Sequence, residues 1–172
     1  MNYRKNCNWM YSVIITALFF IAGTTNAQIK KSNFPESLFS TYYHQRLSHF
    51  ETLPKTKNDI VFLGNSISDG AEWSELFADN HIKNRGISGD FTIGVLNRLD
   101  EISIRKPKKV FLLIGVNDLT RNTSTDSIFK NIVQIAKYLK QESPATKLYI
   151  QSVLPVNDVY KKFDGHTSKG EQ

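Results

Sequence analysis

Cysteine is almost absent from this chain. Cys7 is the only one in 172 residues, so no intrachain disulfide can staple the fold. Proline and glycine are sparse, at five and nine, and show no repeat, which excludes collagen-like and low-complexity organisation. The one notable apolar run, Val13 to Ala22, is about half of the roughly 20 residues that a membrane-spanning helix requires. A large charge excess is also missing: the formal net charge is +6. With 40% hydrophobic residues the chain is too apolar to be disordered, and too short for two full-sized domains.

The first 27 residues read as a leader and not as fold. Arg4 and Lys5 precede the apolar run, and Thr25-Asn26-Ala27 follows it with a small residue at the exit, the pattern of a secretory signal peptide. Cys7 comes before the run, which argues against a lipid-modified cysteine at the cleavage point. Without residues 1–27 the chain has 145 residues, no thiol, and 20 basic against 16 acidic side chains, a net charge of +4. That charge is too mild to imply a nucleic-acid partner. The expectation is one secreted or periplasmic domain over residues 28–172, with no stable membrane insertion after cleavage, that relies on its hydrophobic core. The densest basic stretch, Arg105-Lys106-Pro107-Lys108-Lys109, reads as a solvated helix end whose cations complement the helix dipole.

Periodicity then places the elements. Residues 35–50 can form a helix with Leu38, Tyr42 and Leu47 roughly on one face. Ile60-Val61-Phe62-Leu63-Gly64 is a short continuous apolar run, the signature of a strand covered on both faces. A short helix over 72–78 and a weaker strand over 81–84 follow. The segment 92–104 predicts a helix with Ile93, Leu96, Leu99 and Ile102 on one stripe. Residues 110–115 predict a third strand, 125–141 a helix with Ile128, Ile132, Ile135 and Leu139 on one face, and 148–153 a fourth strand. Strands alternating with helices make βαβ units, and right-handed crossovers then give a doubly wound parallel sheet with helices on both faces, a three-layer α/β fold.

Ligands of such sheets bind beyond the carboxyl ends of the strands. The segments there are 65–70, 86–90, 116–119 and 154–158. The first contains Ser66 directly after a buried strand, where it could be a nucleophile or an ordinary helix N-cap. The Gly-x-Ser-x-Gly elbow is not formed, because Ser68 takes the second glycine position, and a phosphate loop is excluded by the missing Gly-Lys-Ser/Thr ending. In the second segment Gly89 can leave a backbone N–H open to a ligand. In the third Asn117 offers a carboxamide donor. Donors converging beside a serine are what a tetrahedral oxyanion requires, whereas each segment alone is equally a glycine turn or an Asx-type turn. Trp73 and Phe91 could flank a sugar or acyl chain, or pack a short helix on the sheet.

Taken together, Gly64-Asn65-Ser66-Ile67, Asn84-Arg85-Gly86-Ile87-Ser88-Gly89-Asp90 and Gly115-Val116-Asn117-Asp118 resemble, in order and spacing, the first three sequence blocks of the SGNH (GDSL) hydrolases. The resemblance covers about residues 60–158. It implies a flavodoxin-like sheet and metal-free, cofactor-free ester hydrolysis through an acyl-enzyme. Ser66 would be the nucleophile, with the N–H of Gly89, the side chain of Asn117 and the N–H of Ser66 forming the oxyanion hole. Asn65 replaces the family's usual aspartate, a change that the turn should survive.

A second departure is larger. The family's general base is a histidine preceded three positions earlier by an aspartate, and no Asp-x-x-His occurs in this chain. His44 and His49 precede the first strand, His81 lies at the wrong edge of the sheet, and His166 follows Asp164 by two positions in a polar tail. The expectation is therefore a chain that stops before the last strand, the catalytic pair and the last helix, with a poorly soluble edge at residues 148–153. The leading functional expectation is a secreted serine esterase lineage, acting on a small acyl ester or an acylated carbohydrate, with turnover crippled in this chain. The alternative is a non-catalytic glycan-binding module on the same fold.

Overall fold

The computed structural model describes residues 34–153, so the expected leader, the segment 154–158 and the tail carrying His166 lie outside the described residues. After a 3₁₀ turn at Glu36–Leu38, helix α1 (Thr41–Thr52) starts where Ser40 Oγ accepts from Tyr43 N. Strand β1 (Ile60–Gly64) leads into two short helices, α2 (Ser66–Asp69) and α3 (Trp73–Leu76), and then β2 (Ile82–Gly86). Helices α4 (Thr92–Asn97) and α5 (Leu99–Ser103) connect to β3 (Lys109–Leu113). Helices α6 (Val116–Thr120) and α7 (Thr125–Glu142) connect to β4 (Lys147–Ile150).

All strand pairs are parallel, in the order β2-β1-β3-β4. This is the order of the first four strands of a flavodoxin-like sheet. Alternation within each strand makes two distinct faces. Val61, Leu63, Val110 and Leu112 point into a core closed by Val95, Leu99 and Ile102 of α4 and α5 together with Ile135 and Leu139 of the adjoining α7. On the opposite face Phe62 and Phe111 are register partners, as are Phe111 and Tyr149, and their rings stack at 5.1 and 4.8 Å. Trp73 continues the row, stacking on Phe62 at 4.3 Å and donating Nε1–H to Ser68 O. Its role is thus to seat the α2–α3 segment on the sheet. Among the described residues β4 is an edge strand, with Tyr149 and Ile150 exposed.

Several boundaries differ from expectation for local reasons. The helix expected over 35–50 begins at Thr41 because the Ser40 cap starts it afresh. The helix expected over 92–104 is interrupted at Arg98, whose backbone (φ −118°, ψ 15°) leaves the helical region. Its large fully buried side chains are Val95, Arg98, Leu99 and Ile102, a 3.6-residue spacing, while Ile93 and Leu96 are only half-buried. Arg105 is not a solvated cation. It is buried, bonds Glu101 at 2.6 Å and donates to the carbonyls of Phe50, in the last turn of α1, and Pro54, just past it, where few backbone N–H donors are at hand. Lys106 and Lys108 of the same stretch are exposed.

Candidate functional site

Ser66 opens α2 immediately past β1 and is exposed. Asn65, in the place of an aspartate, is buried and accepts from Ile67 N at 3.0 Å through Oδ1, so the turn that presents Ser66 keeps its side-chain cap. Helix α2 lies tight against the ends of β1 and β2. A Cβ on Gly86 would stand 2.1 Å from Asp69 N, so only glycine permits that approach.

Gly89 occupies a left-handed conformation (φ 80°), with open space where a side chain would be. Asn117 sits in α6 beyond β3, and its Nδ2 donates to Asp90 O at 2.7 Å. The carboxamide is therefore anchored to the loop that carries Gly89, and a second N–H of the same nitrogen is left over. Among the described residues, the backbone N–H groups of Ser66 and Gly89 have no intramolecular acceptor.

Four acidic or basic side chains hold these loops in register. Asp69 Oδ2 accepts from Ser88 N (3.0 Å), Ser88 Oγ (2.7 Å) and Tyr42 OH (2.9 Å), which ties the Ser66 helix to the Gly89 loop and to α1. Asp90 bonds Arg98 at 2.8 and 2.9 Å, and Arg98 also donates to Gly64 O and Arg85 O, the carbonyls at the ends of β1 and β2. Asp118 accepts from Thr92 N and Thr92 Oγ1, which caps α4 from the third loop. Burial pushes the Asp118 carboxyl above the usual carboxylate range, and the Thr92 donors oppose the shift.

The structure thus places Ser66, Gly89 and Asn117 on consecutive loops at one edge of the sheet and joins Gly89 to Asn117 through Asp90. Ser66 is connected to them through Asp69 and Ser88. The sequence reading missed Asp69 and Arg98. Arg98 was visible as the i+3 neighbour of Val95 on the apolar stripe, whereas Asp69 carries no spacing signal that separates it from a surface acid. Among the described residues no histidine bonds Ser66: His44 Nε2 lies 3.4 Å from Glu36 O, and His81 Nδ1 pairs with Asp79 before β2.

Comparison with known proteins adds three findings. The model of the GDSL-like Lipase/Acylhydrolase family matches residues 62–169. The rat platelet-activating factor acetylhydrolase IB subunit alpha2 is 30% identical over 103 residues, which cover 56% of this chain and 44% of that protein. The chain therefore spans less than half the length of this relative. The crystal structure of a GDSL-like lipase from Bacteroides thetaiotaomicron is 26% identical with a TM-score of 0.61, covering 75% of this chain and 67% of that one.

Proposed function

Since the chain belongs to the GDSL-like lipase/acylhydrolase family, we propose that its three loops carry the acyl-transfer machinery of an exported serine ester hydrolase. Ser66 Oγ attacks the ester carbonyl. The tetrahedral oxyanion accepts from the N–H groups of Ser66 and Gly89 and from Asn117 Nδ2. As that intermediate collapses, the carbonyl–alkoxide bond breaks and the alcohol leaves with a proton. Water then repeats the sequence on the acyl-Ser66 ester, releases the acid and returns the proton to Ser66. One observation carries this reading: the Gly89 N–H has no acceptor among the described residues, and the next residue's carbonyl, Asp90 O, holds the Asn117 carboxamide beside it. Donors fixed before the charge develops need no reorganisation during reaction.

The proposed acyl group is small, acetyl by preference, in line with the rat relative being a platelet-activating factor acetylhydrolase subunit. An acylated carbohydrate is the proposed substrate class because the leader would export the domain. Export predicts a processed product whose N-terminal sequence begins at Gln28; an unprocessed Met1 terminus in the exported fraction would refute it. The chemistry is tested with a fluorophosphonate and peptide mass mapping. Slow labelling confined to Ser66 and absent in Ser66→Ala is expected. Labelling at another residue overturns the assignment, and rapid stoichiometric labelling would reveal a competent base, with His166 as the residue to examine.

A further inference from the structure

Next to Gly89 lies a shallow pocket whose lining includes Leu38, Phe39, Tyr43, Phe91 and Arg121. Aromatic packing builds it: Phe39 stacks on Tyr43 at 4.5 Å and stands 6.1 Å from Phe91, and both Tyr43 and Phe91 are buried. Tyr43 is fixed by donating to Gly94 O at 2.7 Å, and burial raises its phenol so that it stays neutral. Arg121, by contrast, is exposed, and its Cζ rests 3.9 Å from the centroid of the Phe91 ring.

The other polar groups of the pocket are committed to the fold. Ser40 Oγ caps α1, Ser88 Oγ donates to Asp69, and Asp90 is paired with Arg98. Asp118, whose field reaches Arg121, gives its carboxylate to Thr92 and lies beyond ion-pair distance of the guanidinium. Among the described residues Arg121 has no carboxylate within ion-pair distance. What the pocket offers a ligand is therefore an apolar aromatic wall, the Gly89 N–H and one guanidinium. The Phe91 ring holds the guanidinium at the pocket, and a guanidinium's fork of N–H donors suits a planar or tetrahedral oxyanion.

We infer that this pocket selects esters bearing an anionic oxygen substituent, carboxylate or phosphate, a few atoms from the ester carbonyl, with Arg121 as the specificity-determining residue. The inference rests on the Ser66, Gly89 and Asn117 site proposed above, because that site is what places an ester carbonyl beside the pocket. A charge-assisted bond at a partly solvated position corresponds to about a tenfold preference at low ionic strength, weakening as salt screens it.

The test is an NMR titration of the full ¹⁵N-labelled chain with two matched pairs of esters. Monomethyl succinate against methyl succinamate places the charge on the acyl side. The phosphate 2-acetoxyethyl phosphate against 2-acetoxyethanol places it on the alcohol side. The anionic member of at least one pair should bind about tenfold more tightly, and the pair that responds identifies the side. Arg121→Gln should abolish the preference with an unchanged thermal midpoint, and Arg121→Lys should keep part of it. Equal binding within both pairs, or a preference that survives Arg121→Gln, overturns the inference. Ser66→Ala separates the two ideas. If the preference persists while wild-type Ser66 never reacts with a fluorophosphonate, the catalytic reading alone fails. If Ser66 reacts but no anion preference exists, the pocket inference alone fails.

Discussion

Arg98→Met is expected to lower the unfolding free energy by about 3–5 kcal/mol, the cost of removing one partner from a buried ion pair. Arg98 and Asp90 are both almost completely buried, and the guanidinium also satisfies Gly64 O and Arg85 O. Methionine fills the volume but leaves the Asp90 carboxylate without its cation and removes a donor from Arg85 O and from Gly64 O, which keeps only Ile87 N. Urea titration of the variant should show a lower midpoint with an unchanged slope. The loss should depend on pH. Burial already pushes the Asp90 carboxyl up, and without Arg98 nothing of opposite charge opposes the shift. A carboxyl with a raised folded-state pKa favours folding in its protonated form. The stability of Arg98→Met relative to wild type should therefore be best below the ordinary carboxylate range near pH 4 and fall as pH rises above it. Replacing both residues, as Asp90→Asn with Arg98→Met, should recover part of the loss. A neutral-pH change under 1 kcal/mol would show that the pair is not what joins the ends of β1 and β2.

The second large effect concerns the proton acceptor. On the proposed assignment, a nucleophile and oxyanion donors without a base would retain at most an enhancement on the order of 10³ over water, so aryl acetate turnover by the 172-residue chain should be far below that of a complete triad. Joining a segment with a supported Asp-x-x-His beyond residue 172 should raise the rate by about 10²–10⁴, the range supplied by general base catalysis. Ser66→Ala should erase that gain, and Asn117→Ala should lower it through loss of an oxyanion donor. Turnover that ignores Ser66→Ala in the extended protein would remove Ser66 from the mechanism. Efficient turnover by the unextended chain would instead assign the base to a group already present.

Both effects trace back to how differently two kinds of residue announce themselves. The branched runs at 60–64 and 109–113 and the stripe ending in Ile135 and Leu139 are visible in one dimension, because strand and helix periods project burial directly onto the sequence. The places of Ser66, Gly89 and Asn117 just past strand ends were legible for a related reason. Each follows a strand, and a parallel sheet gathers the ends of its strands at one edge, so order along the chain already implied proximity in space.

Long-range polar pairing has no such projection. Arg98 looks like one charged residue among apolar neighbours, and its partners at positions 64, 85 and 90 become apparent only once β1, β2 and the second loop are superposed. Asp69 reaches Ser88 and Tyr42, and Arg105 reaches the end of α1 more than 50 residues away. Hydrophobic patterning thus determined the helices, the parallel sheet and the edge at which the candidate loops gather. Tertiary structure decided which charges are buried, which loops they clamp and that Arg121 rests on the Phe91 ring at the pocket beside Gly89. The reason is that burial of an apolar group depends on the local period alone, whereas burial of a charge requires a specific partner whose position only the folded chain sets.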